Sequence, residues 1–129
     1  MRKAILIMLL AVVSNSAVAE WTKVGEHNRI ATYVDMTTIQ KKGNIVKMWN
    51  MYDYKVLQDK YTGDAFLSIK AQSEYDCEEV LSRSLAGAYF SENMGDGKMN
   101  YSFSDPDKWT PVQPSSAGKA LWKIACNKE

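Results

Sequence analysis

Apolar and polar positions divide this chain into one unbroken apolar run near its start and a series of short alternating segments after it. Among the alternating segments, Ala65 to Cys77 is the cleanest. Ala65, Leu67, Ile69, Ala71, Tyr75 and Cys77 share one parity, and Ser68, Lys70, Gln72 and Glu74 share the other. That period predicts a strand with one face on a core and Cys77 on the inner side. Ile45 to Tyr54 is apolar on both parities: Val46, Met48, Tyr52 and Tyr54 on one, Ile45, Trp49 and Met51 on the other. A strand covered on both faces is expected to be central. Trp21 to Val24 and Arg29 to Asp35, rich in β-branched and aromatic residues, read as strands on either side of a polar break at Glu26-His27-Asn28.

The connections are read from their turn chemistry. Asp35-Met36-Thr37-Thr38-Ile39 predicts a single turn capped by the Asp35 carboxylate. Lys41-Lys42-Gly43-Asn44 is a turn into the next strand, Lys55 to Asp64 a polar loop, and Met94-Gly95-Asp96-Gly97 a tight turn. Lys98 to Ser104 alternates again, with Met99, Tyr101 and Phe103 inward. Glu78 to Phe90 is ambiguous, because Val80, Leu81, Ser84, Leu85 and Ala88 fit a helical face almost as well as a strand. The last element is a helix: Ser115 or Ser116 offers the N-cap after Pro114, and Ala117, Ala120, Leu121 and Ile124 form an apolar stripe. The predicted fold is α+β, an antiparallel sheet with a C-terminal helix packed on one face. The stripe is expected to meet the inner row Leu67, Ile69 and Ala71.

The unbroken run, Ala4 to Val13, follows Arg2 and Lys3 and leads through Ser14-Asn15-Ser16 to Ala17-Val18-Ala19. A positive start, an apolar core and a small-x-small site describe a secretory signal peptide over residues 1–19, cleaved between Ala19 and Glu20. The alternative, an uncleaved membrane anchor, needs roughly 20 apolar residues, and this run has ten. No cysteine follows it to carry a lipid. The chain is therefore expected to be exported, to the periplasm or beyond, without a lipid anchor and without an integral membrane segment after cleavage. Residues 20–129 are expected to form one domain.

Export changes the meaning of the two cysteines. Cys77 and Cys126 form an even count in an oxidising compartment, for which a disulfide is the default, and Cys126 in the last helical turn could reach Cys77. A metal pair or a redox pair would need more ligands or closer spacing: His27 is the single histidine and no C-x-x-C occurs. Two of the 16 Lys and Arg lie in the leader, leaving 14 against 15 acidic residues. So balanced a charge gives no field for nucleic acid or an anionic membrane.

Enzyme chemistry finds little to stand on. His27 sits in a polar turn without a nucleophile or an orienting partner. No G-x-S-x-G, P-loop or H-E-x-x-H is present. Asp53, Asp64, Asp76, Glu78 and Glu79 fall at strand ends or in loops, where carboxylates are hydrated, and Asp105-Pro106-Asp107 reads as a turn rather than a calcium loop. No cofactor, metal or catalytic residue is predicted. The surface offers more. Lys41, Lys42, Lys55 and Lys60 flank the long central strand, with Tyr52, Tyr54 and Tyr61 near them in sequence. Lysine and tyrosine together suit a contact with a protein or an anionic glycan; the plainer alternative is a solvated rim. An alternative function is a periplasmic domain that holds a small apolar or aromatic ligand between sheet and helix.

Several segments, in order along the mature chain, resemble the bacterial surface-adhesin E family. They are Trp21, Tyr33-Val34-Asp35 with Thr38-Ile39, Val46-Lys47-Met48-Trp49 with Asp53-Tyr54, and Ser68-Ile69-Lys70. Tyr75-Asp76-Cys77, Met94-Gly95-Asp96-Gly97, Trp109-Thr110-Pro111-Val112 with Pro114, and Leu121 to Cys126 complete the series. The resemblance implies a sheet of about six antiparallel strands, a C-terminal helix bridged to it by the disulfide, and strand for residues 78–90. It implies a non-enzymatic module that contacts host or envelope proteins. The family includes an outer-membrane lipoprotein that binds host proteins; this chain differs in lacking the lipid-bearing cysteine.

Overall fold

Two-residue turns set the register of the first half of the sheet. Asn28 and Arg29 both sit at positive φ, 52° and 63°, the form whose twist matches that of the strands it joins. They connect strand β1 (Trp21–His27) to β2 (Ile30–Lys42). The polar break is thus one residue later than expected, and His27 belongs to β1, paired with Ile30. Gly43 (φ 62°) and Asn44 close the second hairpin, into β3 (Ile45–Gln58). There follow β4 (Phe66–Asp76), β5 (Leu81–Phe90), β6 (Met99–Phe103), the two-residue β7 (Thr110–Pro111) and helix α1 (Ala117–Ala125). This computed structural model describes residues 19–59 and 64–128; all of the expected leader (residues 1–19) but Ala19, together with Lys60 and Tyr61, lies outside them.

The sheet is antiparallel throughout, in the order β1-β2-β3-β4-β5-β6, with β7 paired to the start of β5. Residues 78–90 resolve as a turn and then a strand. β3 is interior, with Val46, Met48, Asn50 and Met51 all buried. The Asp35 turn is not a helical turn but a bulge within β2: Asp35 pairs with Trp49 and Gln40 with Lys47, so four residues stand opposite Met48 alone. The capping chemistry holds nonetheless. Asp35 Oδ1 accepts from Thr37 N at 3.0 Å and Thr37 Oγ1 at 2.6 Å, and Thr38 Oγ1 accepts from Trp49 N at 2.9 Å. The β3 ladder supplies partners for the extended backbone, which outcompete a lone turn.

Cross-strand partners share a face. Val34, Val46, Met48 and Tyr75 lie on the face that meets Leu121, Trp122 and Ala125 of α1, and these seven form the core. The predicted row Leu67, Ile69 and Ala71 is not the helix's seat. Two links decide this: Cys77 and Cys126 are bridged with their Cα atoms 5.5 Å apart, and Trp122 Nε1 donates to the Asp76 carbonyl at 2.9 Å. Both hold the helix at the end of β4, from where it runs over β3, β2 and β1. Its buried stripe accordingly includes Trp122, which the apolar period left out. Ser116 is the N-cap, its Oγ accepting from Lys119 N at 3.1 Å.

Candidate functional site

Because α1 covers only part of its face, β3, β4, β5 and β6 carry an aromatic row beside it. Tyr54 meets Phe66 edge-on at 5.7 Å, Phe66 meets Tyr89 at 4.7 Å, and Tyr89 meets Tyr101 at 5.5 Å and Phe103 at 6.5 Å. Edge-to-face contacts of this kind are the favoured aromatic geometry. Gly87 makes room for the row. A Cβ there would lie 2.6 Å from both Lys70 O and the Phe103 ring, so the ring lies flat on the β5 backbone. The outer end is open, since Tyr101 is 47% exposed. The expected inward set Met99, Tyr101, Phe103 is therefore corrected. A register shift between Tyr89 and Phe90 places Met99 opposite Phe90, and Met99 is 56% exposed.

The inner end of the row opens into a cleft of about 510 Å³ between the β1–β2 hairpin and the start of α1. Ile30, Thr32, Tyr52 and Tyr54 form its floor, and Ser115 to Gly118 form one wall. Burial raises the Tyr52 phenol to about 12 and raises Tyr54 as well, each with a further push from a neighbouring tyrosine. Both rings are therefore neutral, hydrogen-bonding surfaces at any physiological pH. At the rim, Glu26 is bonded by Lys23 and by Lys55, and these two hydrogen bonds hold its carboxyl down to about 2. Lys55 is not in a loop. β3 continues to Gln58, and the Lys55 amide donates to Arg29 O at 3.0 Å.

The lysine and tyrosine residues picked out from sequence are thus separated. Tyr52, Tyr54 and Lys55 lie at the cleft. Lys41 and Lys42 lie at the β2–β3 hairpin, eight positions away along β3 by pairing, roughly 26 Å at strand rise. There they line a shallow hollow of about 620 Å³ with Gln40, Ile45, Lys47 and Glu74, and Glu74 is bonded to Arg83 at 2.9 Å. Sequence reading missed Phe66, Tyr89 and Tyr101 as members of one site. The aromatic identities were visible, but the strand order that brings them side by side was not. Among the described residues, no group of three or more His, Cys, Asp or Glu is placed to hold a metal ion, and no helix is long and apolar enough to cross a membrane.

The family description Surface-adhesin protein E matches residues 21–127 of the chain. The protein belongs to the surface-adhesin protein E family. Solved structures agree on the fold. Haemophilus influenzae protein E aligns with a TM-score of 0.62 at 12% identity, over 87% of this chain and 87% of that one. Its selenomethionine form aligns at 0.63 and 12%, over 87% and 89%. A second crystal form aligns at 0.60 and 13%, over 86% and 97%. No curated protein sequence matches the chain. Membership in the family supports an adhesin-like surface protein. At 12% identity the solved relatives speak to the fold, and function lives in the residues of the site itself.

Proposed function

We propose that this protein is an exported, non-enzymatic interaction domain that binds another protein, from the host or the cell envelope, through the aromatic row and the adjoining cleft. The observation that carries the reading is the run of rings from Tyr54 to Tyr101, which ends half-exposed on the edge strand β6. Tyrosine at a contact surface supplies large buried area with a polar tip and little rotamer entropy to lose. β6 itself, Met-Asn-Tyr-Ser-Phe, carries no charged residue, unlike β1, which is bulged between Lys23 and Gly25 and bears the Lys23–Glu26 ion pair. Charge and bulges are what normally keep an edge from pairing with another chain. The test is adhesion of the native bacterium to immobilised host protein or a host-cell layer. Deleting the gene should lower it, the wild-type gene should restore it, and a Tyr101→Ser gene should restore it poorly. Full rescue by Tyr101→Ser, with the protein folded and at the cell surface, would overturn the assignment of the site. Confinement of the wild-type protein to the soluble periplasm would overturn the adhesion reading itself.

The cleft favours a second reading, a small aromatic or apolar ligand held against Tyr52 and Tyr54. Its volume is of the size that holds such ligands. Titration of the folded domain with indole and phenol, followed by the amide shifts of Thr32 and Tyr52, distinguishes it. Saturable shifts confined to the cleft support it.

A further inference from the structure

Asp35 is 4% exposed, and among the described residues no cation pairs with its carboxylate. All its hydrogen-bond donors are neutral: Thr37 N and Thr37 Oγ1 on Oδ1, and the backbone nitrogen of Glu20 on Oδ2 at 3.2 Å. None of the ion pairs among the described residues involves it. A buried carboxylate ordinarily finds an opposite charge, because removing it from water uncompensated is costly. The nitrogen that faces Oδ2 belongs to the residue that follows the small-x-small site Ala17-Val18-Ala19.

We propose that cleavage of the leader between Ala19 and Glu20 supplies the missing charge: the new α-ammonium of Glu20 forms a part-buried ion pair with Asp35 that locks β1 onto β2. The proposal rests on the signal-peptide reading of residues 1–19. In the step itself, water is added across the Ala19–Glu20 amide. The Ala19 carbonyl leaves with the leader as a carboxylate, and the nitrogen stays on Glu20, protonated at neutral pH. A neutral N–H donor thereby becomes a charged one at a distance already within ion-pair range, and charge-assisted hydrogen bonds are about twice as strong as neutral ones.

The pair joins parts of the chain that the sheet also joins, since Trp21, the next residue, is paired with Asp35 itself. It also makes the position of cleavage matter. A start one residue earlier or later displaces the ammonium by one extended residue, about 3.5 Å, beyond reach of Oδ2. The uncleaved precursor lacks the pair, so the domain attains its full stability only after processing. The titratable groups on the same face of the neighbouring strands are Lys23 and Glu26 on β1, Tyr33 and Lys42 on β2, and Lys47 and Asp53 on β3, by their pairing. Lys23 is bonded to Glu26, which leaves the Glu20 nitrogen as the donor placed on Oδ2.

The experiment compares the oxidised domain starting at Glu20 with the same chain acetylated at its N-terminus and with a chain starting at Ala19, each with and without Asp35→Asn. Acetylation keeps the N–H and removes the charge. With Asp35 present, acetylation or the extra Ala19 should lower the folding equilibrium constant about tenfold in urea titrations, the size expected of a charged hydrogen bond; in the Asp35→Asn background the loss should be less than about twofold, because only a neutral hydrogen bond is at stake there. Equal losses in both backgrounds would overturn the ion pair. Should Asp35→Asn not fold, the α-amino titration, followed by NMR of ¹⁵N-labelled Glu20, replaces it. A midpoint above the ordinary range of about 7.7–8.0 supports the pair, and one at or below that range overturns it. N-terminal sequencing of the exported protein is the separate check on cleavage: a start other than Glu20 removes the premise, whatever the domain shows in vitro.

Discussion

Trp122 and Asp76 are joined by a hydrogen bond from the indole Nε1 to a backbone carbonyl at 2.9 Å, one residue before Cys77 takes its bridge to Cys126. The helix is therefore held twice at one corner of the sheet. Its other end, at Ser116, lies against the cleft. The cleft therefore borders a helix terminus whose nearest anchor, Trp122, lies less than about two turns away.

Removing the bridge should show how much of that anchoring is covalent. Cys77 and Cys126 lie 49 residues apart, and the chain-entropy model gives about 4 kcal/mol for a loop of that size. The Cys77→Ser, Cys126→Ser double variant is expected to lose up to that amount in urea denaturation. Trp122→Phe, which removes the donor and part of the buried ring, should cost roughly 1–3 kcal/mol.

Gly87→Ala should loosen the edge of the sheet. The added methyl would lie 2.6 Å from the Lys70 carbonyl and the Phe103 ring, and overpacking of this kind costs roughly 1–3 kcal/mol. The ring can move, so Phe103 gives way, while the Lys70 carbonyl is backbone and its clash strains the β4–β5 pairing as well. Hydrogen exchange should speed up in β6 while β2 and β3 stay protected.

Alkali should unfold the domain through its tyrosines. Burial raises the folded-state pKa of Tyr52 to about 12 and raises that of Tyr75 as well, against about 10 in the unfolded chain. The folded state keeps these protons where the unfolded chain releases them. Stability is whole below pH ~10 and falls as pH rises toward 12. Phenolate absorbance from these two rings is expected to appear together with loss of the far-UV signal, not before it.

Glu26 should titrate far below an ordinary carboxylate. Its hydrogen bonds from Lys23 and Lys55 lower it to about 2, so whatever stability the cluster adds is present above the ordinary range and lost as pH falls through that value. Carbon-detected NMR titration should find that midpoint, and Lys55→Ala should raise it. The thermal midpoint should barely change, because exposed ion pairs contribute little.

Features that depend on local order could be read from the residues alone. The period of β4, a turn within Lys41-Lys42-Gly43-Asn44 and a serine cap at Ser115 or Ser116 followed from residue types a few positions apart, because side-chain alternation and caps are short-range physics. The pairing of Cys77 with Cys126 followed from count and compartment. Tertiary structure decided the rest. Asp35 to Ile39 has the residues of a capped turn, but the β3 backbone turned it into a bulge. The α1 stripe is apolar on more than one side, and the bridge and the Trp122 bond chose which side faces the sheet. Tyr54, Phe66, Tyr89 and Tyr101 come from four strands, and no spacing along the chain announces that the sheet sets them in one row. Asp35 and Glu20, 15 residues apart, meet for the same reason: a hairpin brings together what sequence separates, and register chooses the partner.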